Sequence, residues 1–356
     1  MQDPRSASPE ADAGPLPHVL VLGTGGTIAG VAPSANTATG AGYTAGVLGV
    51  DQLLASAPGV QQQARLEFTQ LCNIDSKDAG PDLWLDLARA VRAWRERPGS
   101  AGCVITHGSD TLEESAYALD CLLEPGSPVV LTAAMLPAAA LSADGPRNLF
   151  DAVRVAGDPA AAGRGVLCVA HGRVHAARDV SKQHPARIDA FGSGERGPLG
   201  FIGAGGLRFT REQPGGAQPA FAFRSLPARD ASWPRVELVC SHAGADGEMV
   251  RALLAASASG TLRPKLHGLV VLGTGGGTVH EQLQAALDQA VEAGVRVQVV
   301  PRTGPCEGGE FDGLNAAKVR VRLLLEALHA SLQDEQAREP WPRHPAAAEP
   351  GSGGTQ

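Results

Sequence analysis

One feature constrains this chain more than any other: an apolar run that breaks into a glycine turn. His18-Val19-Leu20-Val21-Leu22 leads directly into Gly23-Thr24-Gly25-Gly26-Thr27-Ile28-Ala29-Gly30. Continuous apolar runs of this length are what strands buried on both faces of a parallel sheet look like. A glycine-rich turn at the strand's carboxyl end lets other groups come close to the backbone. Open α/β sheets also bind their ligands at that end.

The pattern recurs. Cys103–Thr106, Pro128–Thr132, Gly165–Ala170, Val236–Cys240, Gly268–Leu272 and Val295–Val300 are further apolar runs, separated mostly by helix-length intervals. Strands alternating with helices predict βαβ units and an α/β fold with a mostly parallel sheet. After Ile105-Thr106-His107-Gly108-Ser109, the residues Asp110 and Glu113 fit a capping box. Leu112, Ala116, Leu119, Leu122 and Leu123 follow at helical spacing up to Pro125-Gly126. Periodicity fades from about Arg211 to Trp233, where Pro and Gly accumulate. The expected organisation is an N-terminal extension over 1–17, a larger α/β domain over 18–210 and a connector over 211–233. A smaller C-terminal α/β domain over 234–333 follows, with a last helix over Asn315–Leu332, and a loose tail over 334–356.

Composition removes several classes of function. The 356 residues carry a net charge of −7, which speaks against a nucleic-acid partner. No apolar run approaches the ~18 residues of a membrane span, so no membrane is expected. The polar start Met1–Pro17 lacks a signal peptide's basic and apolar regions, which gives a cytoplasmic expectation, or a periplasmic one if the chain has been processed. The six cysteines form no C-x-x-C pair, and Cys103, Cys168 and Cys240 fall in strand-like runs. They read as buried free thiols, and no metal site is expected.

Glycine turns after strands raise nucleotide binding first. Gly23–Ile28 does not complete G-x-G-x-x-G, Asn36–Gly42 reads as loop where a second strand is needed, and no G-x-x-x-x-G-K-[ST] occurs. The turn opens instead onto the hydroxyl of Thr27. Tyr43, one of two tyrosines, follows in a stretch poor in core formers, as a mobile lid would carry it. Val-Leu-Gly-Thr-Gly-Gly at 21–26 returns at 271–276, which reads as one strand-to-turn solution used twice rather than as a second active site.

Six ordered blocks then carry a resemblance: Thr24–Ala29, Tyr43–Gly46, Asn73–Ser76, Ile105–Glu114, Ser142–Pro146 and Arg178–Lys182. From about Val19 to Leu328 the chain resembles the bacterial-type L-asparaginase family, nearer its type II and glutaminase-asparaginase members. The resemblance implies hydrolysis of L-asparagine to L-aspartate and ammonia, with L-glutamine as a secondary substrate, without metal or cofactor, in a homotetramer built from dimers. It makes Thr27 the nucleophile, Tyr43 its partner on the lid, and Ser109, Lys182 and Asp110 a proton relay. Backbone N–H groups of the Gly108-Ser109 turn would stabilise the oxyanion. Ser76 would hold the substrate's α-carboxylate and Asp110 its α-ammonium, with Lys77 and Ser109 beside them. A threonine hydroxyl needs such a base, because it ionises far above neutral pH. Ser142–Pro146 reads as a bracing turn and His107 as a packing residue.

The chain departs from the family pattern at several points. Ser109 replaces the usual threonine, Lys77 a usual Gln or Glu, and Leu136 a usual arginine. The Asn that a neighbouring subunit lends to the substrate aligns with Gly276, and the accompanying carboxylate falls to either Glu307 or Glu310. A catalytically weak or inactive amino-acid-binding protein is the alternative these substitutions raise. An amide-hydrolysing component of a tRNA-dependent amidotransferase is disfavoured by the acidic charge.

Overall fold

The computed structural model describes residues 14–31, 44–212, 223, 226–228 and 232–338, the last five without their side chains. Tyr43 and the Asn36–Gly42 loop lie outside the described residues, as do most of the expected N-terminal extension and of the connector.

Thirteen strands and seven α-helices build two principal sheets among the described residues. In chain order, β1 (His18–Gly25), α1 (Val50–Ala55), β2 (Arg65–Ile74), α2 (Pro81–Arg95), β3 (Ser100–Thr106), α3 (Leu112–Leu122), β4 (Val129–Thr132) and α4 (Gly145–Gly157) come first. Then follow β5 (Val166–Ala170), β6 (Arg173–Ala176), the two-residue strands β7 (Ser181–Lys182) and β8 (Phe191–Gly192), β9 (Gly200–Gly203) and β10 (Gly206–Phe209). The C-terminal part holds β11 (Arg235–Cys240), α5 (Glu248–Ala258), β12 (Leu266–Gly273), α6 (Glu281–Glu292), β13 (Arg296–Pro301) and α7 (Ala316–Arg338).

The first sheet has the order β10-β9-β6-β5-β4-β3-β1-β2, parallel from β2 to β5 and antiparallel beyond. Its parallel part, read from β2, is the doubly wound order 2-1-3-4-5, which reverses direction between β1 and β3. Both of those strands are buried along nearly their whole length. Helices cover both faces: α2 and α3 share one apolar cluster with the sheet, α4 and α1 the other. The second sheet, β11-β12-β13, is wholly parallel. Helices α5 and α6 cover one of its faces, and α7 packs on the other against β11, β12 and α3. Residues of α7 belong to the same cluster as α2 and α3, so one apolar core joins the two sheets.

The remaining part of the connector is docked. Arg92 donates to the carbonyl of Phe223 (3.0 Å), Arg89 donates to that of Pro227, and the Trp233 indole donates to Asp82 (2.7 Å).

Three expectations need correction. The last helix runs on to Arg338, past the expected start of the tail at 334, because Gln333–Arg338 holds no Gly or Pro and is rich in helix formers. Cys240 is exposed, since β11 is an edge strand of its sheet. The second strand, β2, begins at Arg65, well beyond the loop at 36–42 where it was sought. It is a half-exposed edge strand with mixed residues, hence no apolar run.

Candidate active site

The carboxyl ends of β1 and β3 lie side by side, with Gly23 paired to Thr106. Their last residues are tied together: Thr24 Oγ1 donates to the Thr106 carbonyl at 2.9 Å, and Thr106 Oγ1 to that of Leu22 at 3.5 Å. This is the switch point of the sheet, where the crevice for a ligand is expected.

Beyond it the two loops touch. Gly26 has φ +79°, and a Cβ there would stand 2.3 Å from Gly108 Cα. A Cβ on Gly108 would in turn stand 2.4 Å from Ser76 Oγ. Glycine is therefore required at both positions by close approach, and at Gly26 by conformation as well. The arrangement stacks three segments: the turn ahead of Thr27, the turn ahead of Ser109, and the short 3₁₀ turn Ser76–Asp78 after β2. Gly26 N–H donates to the Ile74 carbonyl (2.8 Å), completing the link between β1 and β2. Thr27 opens a 3₁₀ turn and is 7% exposed; Ser109 is 5% and Ser76 2% exposed.

Lys182 reaches this cluster from β7. Its amine donates to Ser109 Oγ at 2.9 Å and to Asp110 Oδ1 at 2.6 Å. Ser76 Oγ accepts the Asp110 N–H (3.2 Å), and the Ser76 carbonyl accepts the Thr111 hydroxyl (2.7 Å). The expected capping box is therefore absent. The cap of α3 is Thr111 without a side-chain bond, while the Asp110 carboxylate turns to Lys182 and Glu113 accepts from Asn315 (2.8 Å). An ammonium partner outcompetes a neutral backbone N–H for a carboxylate.

The bracing turn is built as expected. Asp144 accepts the N–H groups of Met135 and Leu136 at 2.9–3.1 Å, and a Cβ on Gly145 would meet Ile28, next to Thr27, at 3.0 Å. His107 is buried; its Nδ1 donates to the Gly108 carbonyl at 2.8 Å, which leaves Nε2 as a buried acceptor without a partner among the described residues. Burial pushes its pKa below the usual value. Lys77 takes another direction: it is mostly exposed and its amine is paired with Asp78, which raises its pKa.

The C-terminal candidates differ in their engagement. Both Glu310 oxygens are taken, by Arg296 (2.8 Å) and Arg322 (3.1 Å). Glu307 has no ion-pair partner among the described residues and lines, with Gly276 and Arg302, a cleft of about 1410 Å³. Thr27, Ser76, Ser109, Asp110 and Lys182 are not in its lining. Among the described residues no group of three or more His, Cys, Asp or Glu side chains could hold a metal ion, and no helix is long and apolar enough to cross a membrane.

Two residues of this neighbourhood escaped the sequence reading. Asn315 and Lys318 sit in and just before the first turn of α7 and contact Glu113. Nothing local singled them out, because Lys318 is followed by Arg320 and Arg322, alternating with Val319 and Val321, and reads as one more cation of a charged helix.

The chain also resembles known proteins. The family model described as "Asparaginase, N-terminal" matches residues 18–215, more than half of the chain. The chain belongs to the asparaginase family. It is 35% identical to L-asparaginase 2 of Escherichia coli over 327 residues, covering 87% of this chain and 88% of that one. It is 34% identical to the glutaminase-asparaginase of Pseudomonas fluorescens, covering 79% of this chain and 74% of the relative. Among solved structures, the probable cytoplasmic L-asparaginase of Campylobacter jejuni superposes with a TM-score of 0.78 at 32% identity, over 87% of this chain and 95% of that one. The α/β architecture of this asparaginase-family chain, with one mostly parallel and one wholly parallel sheet, is thus the one expected from the sequence.

Proposed function

We propose that the protein is an L-asparaginase, hydrolysing L-asparagine to L-aspartate and ammonia, with L-glutamine as a slower substrate. The observation that carries this reading is the meeting of the Thr27 and Ser109 turns at the switch point, with Lys182 bonded to both Ser109 and Asp110. The names of the relatives supply the substrate class.

In this mechanism Thr27 Oγ1 attacks the side-chain amide carbon. Its proton leaves through the Ser109–Lys182–Asp110 relay while a C–O ester bond forms. The C–N bond then breaks, the departing nitrogen takes a proton and leaves as ammonia, and water cleaves the ester to return the threonine hydroxyl. A relay of this kind activates an otherwise weak nucleophile. Asp110 N–H is committed to Ser76, so the oxyanion donors are assigned to Gly108 and Ser109 N–H. Ser76 takes the α-carboxylate. Asp110, more than half exposed at its side chain, takes the α-ammonium, and fixing both ends of the zwitterion orients the amide. Tyr43 remains the proposed lid residue. Lys77, turned to Asp78, is given a lesser role at the rim of the site.

Glu307 is preferred over Glu310 as the carboxylate lent to a second subunit, because Glu310 is occupied within its own chain. A homotetramer with shared sites is carried from the family resemblance, with Gly276 and Glu307 lining a cleft that also reaches Ser181 and Gln183 on either side of Lys182. For the compartment, the name of the Campylobacter protein favours the cytoplasm and that of a Haemophilus influenzae relative the periplasm. We carry the cytoplasmic reading, which cell fractionation tests.

A coupled ammonia assay with both amides, on wild type and Thr27→Ala, tests the reading. Release by wild type and none by a folded Thr27→Ala is expected. Binding of aspartate without ammonia release by wild type would replace it with the amino-acid-binding alternative.

A further inference from the structure

Lys318 is the largest charged side chain fully enclosed by the protein, at 2% exposure. Its amine donates to the carbonyl of Arg178 at 2.9 Å and to that of Val180, and stands 4.0 Å from the Glu113 carboxylate. Asn315, three positions earlier, donates to the same carboxylate at 2.8 Å and accepts the Lys318 N–H at 3.1 Å.

These contacts have a common consequence. Val180 lies two residues ahead of Lys182, and Glu113 three residues after Asp110. The start of α7 therefore holds the segment that delivers Lys182 and the helix that follows the Ser109-Asp110 turn. The segment has other anchors: Asp179 pairs with Arg211, and Val180 N–H donates to the Ala176 carbonyl (2.9 Å). Lys182 itself lies on β7, which is two residues long and pairs only with the two residues of β8, so the hold on the Val180 carbonyl bears directly on its height.

We propose that Lys318, assisted by Asn315, is a positioning residue that clamps the Lys182 segment against the Ser109 turn and so sets the Lys182–Ser109 hydrogen bond. The proposal rests on the reading of that bond as part of the relay. An amine is costly to enclose, and an apolar side chain would fill the same space without that cost. What an apolar side chain cannot do is hold two carbonyls of an irregular segment. The groups facing the amine are Glu113 and Asp120 from α3, Cys168 from β5, His175 from β6, and Arg178 and Asp179 from the clamped segment. Burial lowers the Lys318 pKa to about 8, so the cation persists at neutral pH with all three donors.

The test is Lys318→Met, read in three ways. Turnover of L-asparagine should fall about 10²-fold, the loss typical of a misplacement near 1 Å, with KM little changed. The kcat–pH profile should change shape, which a loss of stability alone does not cause. In a crystal structure of the variant, Lys182 Nζ should leave hydrogen-bond reach of Ser109 Oγ, now 2.9 Å away. Lys318→Gln, which keeps N–H donors, should recover part of the turnover, and Asn315→Ala should lose a smaller part of it. A folded Lys318→Met with wild-type kcat and pH profile, or with the bond intact, overturns the clamp. If Lys318→Met does not fold, unchanged kcat in Asn315→Ala overturns it. The crystallographic distance judges the clamp without reference to turnover. A wild type that releases no ammonia would therefore reject the proposed function and leave the clamp to be decided by that distance.

Discussion

The same six residues, Val-Leu-Gly-Thr-Gly-Gly, end β1 at 21–26 and β12 at 271–276, and the chain does opposite things with them. In the first copy all six are buried, and Gly26 lies against the Gly108 backbone. In the second copy Gly275 and Gly276 are exposed, and a Cβ on Gly276 would meet nothing within 4 Å. There the chain closes on itself instead, through a tight turn in which Thr274 and Thr278 pair their backbones. The seventh residue is Thr27 in one copy and Gly277 in the other. Local sequence makes a strand that ends in a permissive turn. Whether that turn becomes a site depends on what the neighbouring strands bring to it. β1 lies between β2 and β3, whose loops carry Ser76 and Ser109, whereas β12 lies between β11 and β13.

Substitutions can sharpen this contrast. The largest effect is expected at Gly26→Ala, which combines a positive φ with a backbone clash and should cost about 2–5 kcal/mol. Denaturant midpoints and ammonia release should both fall; a variant with wild-type values would show that the two turns do not touch. Next comes Ser76→Ala. Removing the hydroxyl takes away the acceptor for Asp110 N–H and the proposed carboxylate contact, a loss of about 1–3 kcal/mol. It should appear mainly as a raised KM for L-asparagine.

A smaller effect, specific to the first copy, follows from His107. Its folded pKa lies below the usual 6.5, so the unfolded chain takes up a proton first as pH falls. The stability it contributes is complete above pH 6.5 and declines below it. Denaturant midpoints of wild type should fall more steeply than those of His107→Gln as the pH drops from 7, and parallel curves would contradict this. The smallest effect belongs to the second copy: Gly276→Ala should change stability by no more than about 0.5 kcal/mol. A large destabilisation there would erase the distinction between the two turns.

Much of this was legible in sequence. The apolar runs located β1, β3, β4, β5 and the whole second sheet. Strands buried on both faces, as β1, β3, β4, β5 and most of β12 are, leave uninterrupted hydrophobic stretches, and the edge strands β11 and β13 showed because they are rich in valine. β2 did not show, since an edge strand open to solvent alternates irregularly, and without β2 neither the strand order nor the switch point could be read. The glycine-rich β9 and β10 and the two-residue β7 and β8 are too short for any periodic signal. Thr27 announced itself by its turn. Lys182 and Ser76 came only from resemblance, because nothing local in Asp179-Val180-Ser181-Lys182 says that its amine will meet residues 109 and 110. The Asp110–Glu113 pairing misled for a related reason: both carboxylates found partners far along the chain, in Lys182 and Asn315, and the Asp110 N–H that Glu113 would have capped is taken by Ser76.

The central claim is that the Thr27 hydroxyl forms an ester with the substrate's acyl group. Acid-quenching the enzyme during turnover of L-asparagine and mapping its peptides by mass reads this directly. An aspartyl adduct on the peptide that contains Thr27, absent from Thr27→Ala together with turnover, is the predicted result. An adduct on any other residue, or ammonia release that survives in Thr27→Ala, would contradict it.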